Sequence, residues 1–168
     1  MKLRGKVALI TAAGRGIGKG IALALAREGA HLVVNSFSEN TTASTVAEAQ
    51  ALGADVESLV GDITDPDKII EMRDLALARF GQIDILVNNV GAGPKSAIEP
   101  EKHELGLPAA LWDALYAQNL KPVVLMSEAV VPHMRERKSG KIIHISSIAG
   151  RTPMSEKALS YFVHPSYG

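Results

Sequence analysis

The stretch Thr11-Ala12-Ala13-Gly14-Arg15-Gly16-Ile17-Gly18-Lys19-Gly20 decides how this chain is read, because four of its ten residues are glycine. It follows the apolar run KVALIT (residues 6–11) and leads into a segment from Ile17 to Glu28 with helical periodicity. A glycine turn between a strand and a helix lets the backbone come within contact distance of a ligand. The helix then presents free N-terminal amides and the positive end of its dipole, an arrangement suited to pyrophosphate. Two simpler motifs fail. Counting from Gly14, the last position of G-x-G-x-x-G falls on Lys19, and a P-loop needs glycine at Ala13 and serine or threonine at Gly20.

Outward from this turn, short Val- and Ile-rich runs alternate with helix-period segments. HLVVN precedes Thr42 to Leu52, DVESLV precedes Asp67 to Phe80, DILVNN precedes one long helix from Ala109 to Met134, and KIIHISSI closes the series. Strands that are apolar on nearly every residue and separated by helices predict a parallel sheet covered on both faces. Gly29, Gly53 and Gly81 stand where helices should end, and Asp65 with Pro66 opens one with proline in its first turn. The predicted fold class is therefore a doubly wound α/β sheet of five strands. The stretch from Gly91 to Pro108, with Pro94, Pro100 and Pro108, is expected to be a surface excursion after the fourth strand.

Bulk composition narrows the partners. The chain has 168 residues, 46% of them hydrophobic, which is consistent with one core-forming domain. Lys plus Arg and Asp plus Glu total 18 each, so no charge excess points to nucleic acid or an anionic membrane. No apolar run reaches the ~18 residues of a membrane helix. The basic and apolar start, MKLRGKVALITAA, imitates a leader peptide, but Arg15 and Lys19 follow at once and the run serves as a first strand. With no cysteine, disulfides and thiolate metal sites are excluded, and a cytoplasmic location is allowed. His31, His103, His133, His144 and His164 show no metal-ligand spacing, so no metal is expected. A small-molecule partner is the remaining expectation.

The glycine turn resembles the T-G-x-x-x-G-x-G segment of short-chain dehydrogenases/reductases, with Thr11, Gly16 and Gly18 matching. The resemblance implies a Rossmann-type sheet in the order 3-2-1-4-5 and a nicotinamide cofactor, with Thr11, Gly14, Arg15, Gly16, Ile17 and Gly18 at its phosphates. Ala12 replaces the usual first glycine, so residue 12 is expected at negative φ, with Gly14 next door compensating. Asp62 in VGDIT resembles the aspartate that bonds the adenine, with Ile63 packing nearby; Asn88, Asn89 and Gly91 in NNVG resemble the family's N-N-A-G. The early segments are most similar to the 3-oxoacyl carrier-protein reductase branch.

In dinucleotide sites an acid about 20 residues after the glycines holds the ribose hydroxyls of NAD. Here the second strand ends in VVNSFSEN: Asn35 and Ser36 are neutral donors, and no carboxylate occurs before Glu39. Arg15 could face a 2′-phosphate, so NADP(H) is favoured over NAD(H).

For catalysis the family uses Asn, Ser, Tyr and Lys. Asn119 in AQNLKPV matches the asparagine that bends its helix and holds a water in the proton relay, and Ser147 in HISSIAG matches the catalytic hydroxyl. Ser146 is expected to alternate to the other side of the strand. Tyr167 is favoured as the acid/base tyrosine over Tyr161, which has Pro165 where the Y-x-x-x-K pattern needs lysine. For Tyr167 the lysine would fall three positions beyond Gly168. A phenol brought from a pKa of ~10 to ~7 needs about 4 kcal/mol, which the family draws mainly from that lysine and the cationic nicotinamide.

Residues 1–168 thus read as a single NAD(P)-binding Rossmann domain that is incomplete at its C-terminal side, with the last strand left as an uncovered apolar edge. The resemblance further implies a carbonyl or alcohol substrate and a homodimer or homotetramer of the full-length protein. The alternatives are a non-catalytic nucleotide sensor or scaffold of the same fold, and an enoyl reductase of the same superfamily.

Overall fold

A computed structural model describes residues 1–91 and 109–147. In chain order the elements are β1 (Val7–Ile10), α1 (Gly16–Arg27), β2 (His31–Ser36), α2 (Glu39–Ala51), β3 (Val56–Val60), α3 (Pro66–Phe80), β4 (Ile85–Asn88), α4 (Ala109–Asn119), α5 (Lys121–Glu136) and β5 (Lys141–His144). Among the described residues the strands form one parallel sheet in the order β3-β2-β1-β4-β5, the predicted architecture.

Period-two alternation along each strand divides its side chains between two cores. Val7 and Leu9 of β1, Val33 of β2 and Leu86 of β4 pack with Ile69 and Met72 of α3 and Met126 and Val130 of α5. Ala8 and Ile10, Leu32 and Val34, and Ile85 and Val87 face the opposite way, onto Ala22 and Ala26 of α1 and Ala49 of α2. Small alanines on α1 let that helix lie close to the sheet, which fixes where its N-terminus points.

The expected punctuation is present. Asp65 caps α3 by accepting from the Asp67 amide at 2.9 Å, with Pro66 in the first turn. Gly29, Gly53 and Gly81 all sit at positive φ after their helices. Helix α2 begins at Glu39, three residues before the expected Thr42, because the Thr42 hydroxyl bonds back to the Ser38 carbonyl at 2.7 Å inside the helix rather than capping it.

The single long helix expected from Ala109 to Met134 is instead two, divided at Leu120 (φ −110°, ψ −48°). Pro122 lacks the N–H that would carry the ladder through, and the Asn119 side chain donates back to the Leu115 carbonyl at 3.0 Å.

Strand β5 ends at His144 and forms one edge of the sheet, paired with β4. Ile143 is 45% exposed there among the described residues. The prolines of the proposed surface excursion, and Tyr161 and Tyr167, lie outside the described residues.

Candidate dinucleotide-binding site

A cleft of about 1110 Å³ opens at the carboxyl ends of the strands. The strand order reverses there: β1 runs on to β2 on one side while β4 lies on the other, the position where open α/β sheets bind ligands. Its floor is the β1–α1 turn. Gly14, Arg15, Gly16 and Ile17 line it, Asn35 and Ser36 come from β2, Asp62 and Ile63 follow β3, and Asn89 and Gly91 follow β4. Asn119 of α4 and Ser147 beyond β5 close the far side. Ser146 lines the cleft as well, contrary to the expected alternation. The ladder stops at His144, so nothing enforces period two at residues 146 and 147.

The turn is shaped by close contacts. At Gly14 a Cβ would overlap the Ser36 hydroxyl and lie 2.6 Å from the Thr41 hydroxyl; at Gly18 it would overlap the Ala12 carbonyl and the Asn89 amide. Gly16 takes φ +56° with open space before it. Ala12, expected at negative φ, is at φ +51°, the left-handed region that disfavours a side chain. Its conformation is held from outside: the Ala12 N–H donates to Asn35 Oδ1 at 3.4 Å, and its carbonyl accepts from Asn89 Nδ2 at 3.1 Å.

Several residues expected at the cofactor stand behind the wall. Thr11 is buried, and its hydroxyl accepts from the Asn89 and Val90 amides, each at 3.0 Å, tying β1 to the end of β4. Gly18 and Asn88 are likewise buried away from the cleft lining. Asn35 lines the cleft, yet both hydrogens of its amide go to the Leu59 and Gly61 carbonyls at 3.1 Å. Asn89 similarly donates to the carbonyls of Thr11 and Ala12. The sequence reading missed Thr45, fully buried in α2, whose hydroxyl lies 3.0 Å from the Ala13 carbonyl and 3.3 Å from that of Gly14. A helix-interior threonine gives no sequence signal for such a brace.

The groups left facing the cleft suit a dinucleotide. No side chain caps the N-terminus of α1 at Arg15, so its first amides are available to a diphosphate. Arg15 is exposed and has no acidic partner among the described residues. The Asp62 carboxylate accepts from the Thr64 amide at 3.0 Å and hydroxyl at 2.8 Å, which fixes its direction at the cleft mouth. At the far end Gly91 admits Asn119: a Cβ at residue 91 would lie 3.1 Å from Asn119 Oδ1. No cluster of metal-ligating side chains occurs among the described residues, and no helix there is long and apolar enough to cross a membrane.

A parallel sheet with a glycine-walled cleft at its switch point, opening on an uncapped helix N-terminus, defines a Rossmann-type dinucleotide-binding protein. Within that class the chain belongs to the short-chain dehydrogenase family, whose model ("short chain dehydrogenase") matches residues 6–161. It is 38% identical over 150 residues to a 3-oxoacyl-(acyl-carrier-protein) reductase of Thermotoga maritima, covering 89% of this chain and 58% of the relative. Against the 7alpha-hydroxysteroid dehydrogenase of Escherichia coli the figures are 34%, 89% and 56%. The chain thus spans somewhat over half the length of these relatives. A metagenomic short-chain oxidoreductase solved in complex with NADP superposes with a TM-score of 0.80 at 35% identity, over 98% of this chain and 72% of that one.

Proposed function

We propose that this chain forms the NADP(H) site of an oxidoreductase that moves a hydride between nicotinamide and a carbonyl or alcohol substrate. The observation that carries the reading is the cleft itself, which puts the glycine turn at one end and Asn119 and Ser147 at the other. When bound, the nicotinamide supplies or accepts the hydride. The chain's own residues then have separate tasks. The α1 amides and Arg15 hold phosphate, Asp62 and Ile63 receive the adenine end, and Asn119 orients a water in the proton relay. Ser147 donates a hydrogen bond to the substrate oxygen, and Tyr167 gives or takes the proton at that oxygen.

The NADP(H) preference is supported by the lack of a carboxylate at the end of β2, where Asn35 and Ser36 stand, and by Arg15, which lines the same cleft and has no acidic partner among the described residues. The relatives' names make 3-oxoacyl thioesters and hydroxysteroids the first substrates to assay. An exposed stripe running from α4 into α5, with Trp112 at 61%, Tyr116 at 57%, Leu120 at 51% and Val124 at 44%, supports a homodimer or homotetramer of the full-length protein. A cytoplasmic site of action fits a nicotinamide enzyme without cysteine.

Titration of NADPH and NADH, followed by nicotinamide fluorescence, tests the reading on the full-length protein. NADPH is expected to bind more tightly, and Arg15→Ala to weaken NADPH roughly tenfold while leaving NADH nearly unchanged, the loss expected for one charge-assisted phosphate contact. Binding of neither nucleotide would remove the enzyme reading. Equal loss for both would remove the 2′-phosphate assignment.

A further inference from the structure

At the carboxyl end of β4, Asn88 is 1% exposed and its amide is committed twice. One hydrogen goes to Ser127 Oγ of α5 at 3.2 Å, and the other points to His144 Nδ1 of β5, also at 3.2 Å. Ser127 donates its own proton to the Val123 carbonyl at 2.7 Å, so towards Asn88 it accepts. His144 Nδ1 must accept too, which places the ring proton of neutral His144 on Nε2. Asn88 Oδ1 is buried and has no hydrogen-bond partner among the described residues. Turning the amide over would leave its two donors in that unpartnered position and put an acceptor against Ser127, so the arrangement has one satisfactory sense.

The bond sits at one edge of the sheet formed by the described residues. Strand β5 is four residues long, lies at the edge and is paired with β4. Just past His144, the Ile145 amide donates to the Asn88 carbonyl at 2.9 Å, and Ser146 and Ser147 then enter the cleft. Asn88 therefore meets the end of β5 through both its backbone and its side chain.

We infer that His144, as an Nδ1 acceptor for Asn88, is a positioning residue that sets the exit direction of β5 and thereby the placing of the Ser147 hydroxyl. The inference rests on the oxidoreductase reading for its catalytic consequence, though not for the hydrogen bond.

Two measurements on the full-length protein test this. Long-range ¹⁵N–¹H NMR of labelled histidine should show His144 protonated at Nε2 near neutral pH; an Nδ1-protonated ring would overturn the inference. In steady-state kinetics, His144→Leu leaves an Asn88 donor buried without a partner and should lower kcat roughly tenfold, with the NADPH dissociation constant changed less than about twofold. His144→Asn, whose Oδ1 can take the place of Nδ1, should restore kcat. An unchanged kcat in His144→Leu, or failure of His144→Asn to restore it, would overturn the inference. If the wild-type protein binds no nucleotide, the functional reading falls, while the tautomer measurement still decides the hydrogen bond.

Discussion

Ala12→Gly is expected to stabilise this protein, against the usual direction of a glycine substitution. Ala12 sits at φ +51°, where an L-residue with a Cβ costs about 1–2 kcal/mol relative to the right-handed region. Glycine removes that strain but adds about 0.4–1 kcal/mol of conformational freedom to the unfolded chain. The net gain is roughly 0.5–1 kcal/mol. The contacts that hold residue 12 are backbone ones, its N–H on Asn35 Oδ1 and its carbonyl under Asn89 Nδ2, and both survive the change. With a urea slope of about 2 kcal/mol/M the midpoint should rise by about 0.3–0.5 M at constant slope, and Tm by about 2 °C. Ala12→Val should shift both the other way, since a β-branched residue tolerates positive φ less well. Urea titrations by circular dichroism decide it: an unchanged or lowered midpoint for Ala12→Gly would mean the left-handed turn carries no strain at this position.

Two further substitutions probe the turn and the base of the sheet. Gly18→Ala must displace the Ala12 carbonyl and the Asn89 amide, and should cost about 1–3 kcal/mol and weaken NADPH, while Gly20→Ala on the open face of α1 should gain roughly 0.5–1 kcal/mol; similar midpoints for the two would refute the close-approach account. Burial pushes the Asp84 carboxyl up, but the Val7 amide, the Lys6 ammonium and the Arg137 guanidinium outweigh it and hold it below the ordinary carboxylate value. A depressed folded value gives stability that is complete above the unfolded pKa of ~3.9 and is lost as pH falls through the lower folded one. Asp84→Asn should therefore cost roughly 2 kcal/mol near neutrality, a difference that shrinks as pH falls from about 5 to about 2; a pH-independent difference in urea unfolding would reject this.

Layering was legible because it depends on short-range pattern, whereas the strand order was legible only through the resemblance of the glycine turn. Continuous apolar runs such as KVALI and DILVN can only be buried on two faces, and the glycine turn after the first run marks where the chain crosses to its helix. The division of the long helix at Leu120 was harder to see. Pro122 stands in the sequence, but proline in the first turn of one helix and proline breaking another read alike until the ladder is traced. The left-handed conformation of Ala12 was illegible for a different reason: it is imposed by Asn35 and Asn89, 23 and 77 residues away.

The same long-range bonding shows that several residues read in the sequence as candidate ligands also brace the fold. Thr11, Asn35, Asn88 and Asn89 stand at strand ends, where a polar residue can serve either a bound nucleotide or the backbone carbonyls and amides that the sheet leaves unpaired as its strands diverge. A sequence does not distinguish the two uses. Burial does: a side-chain amide with both hydrogens on neighbouring carbonyls, as at Asn35, has no donor left for a ribose. On the proposed reading, nucleotide contacts fall first to the backbone amides of the glycine turn and to exposed Arg15, while Asn35 and Asn89 hold the backbone of that turn through their hydrogen bonds. Substitutions at the two groups should differ in kind. Loss of Arg15 should change nucleotide preference with stability intact, whereas loss of Asn35 or Asn89 should lower stability and the affinity for both nucleotides together.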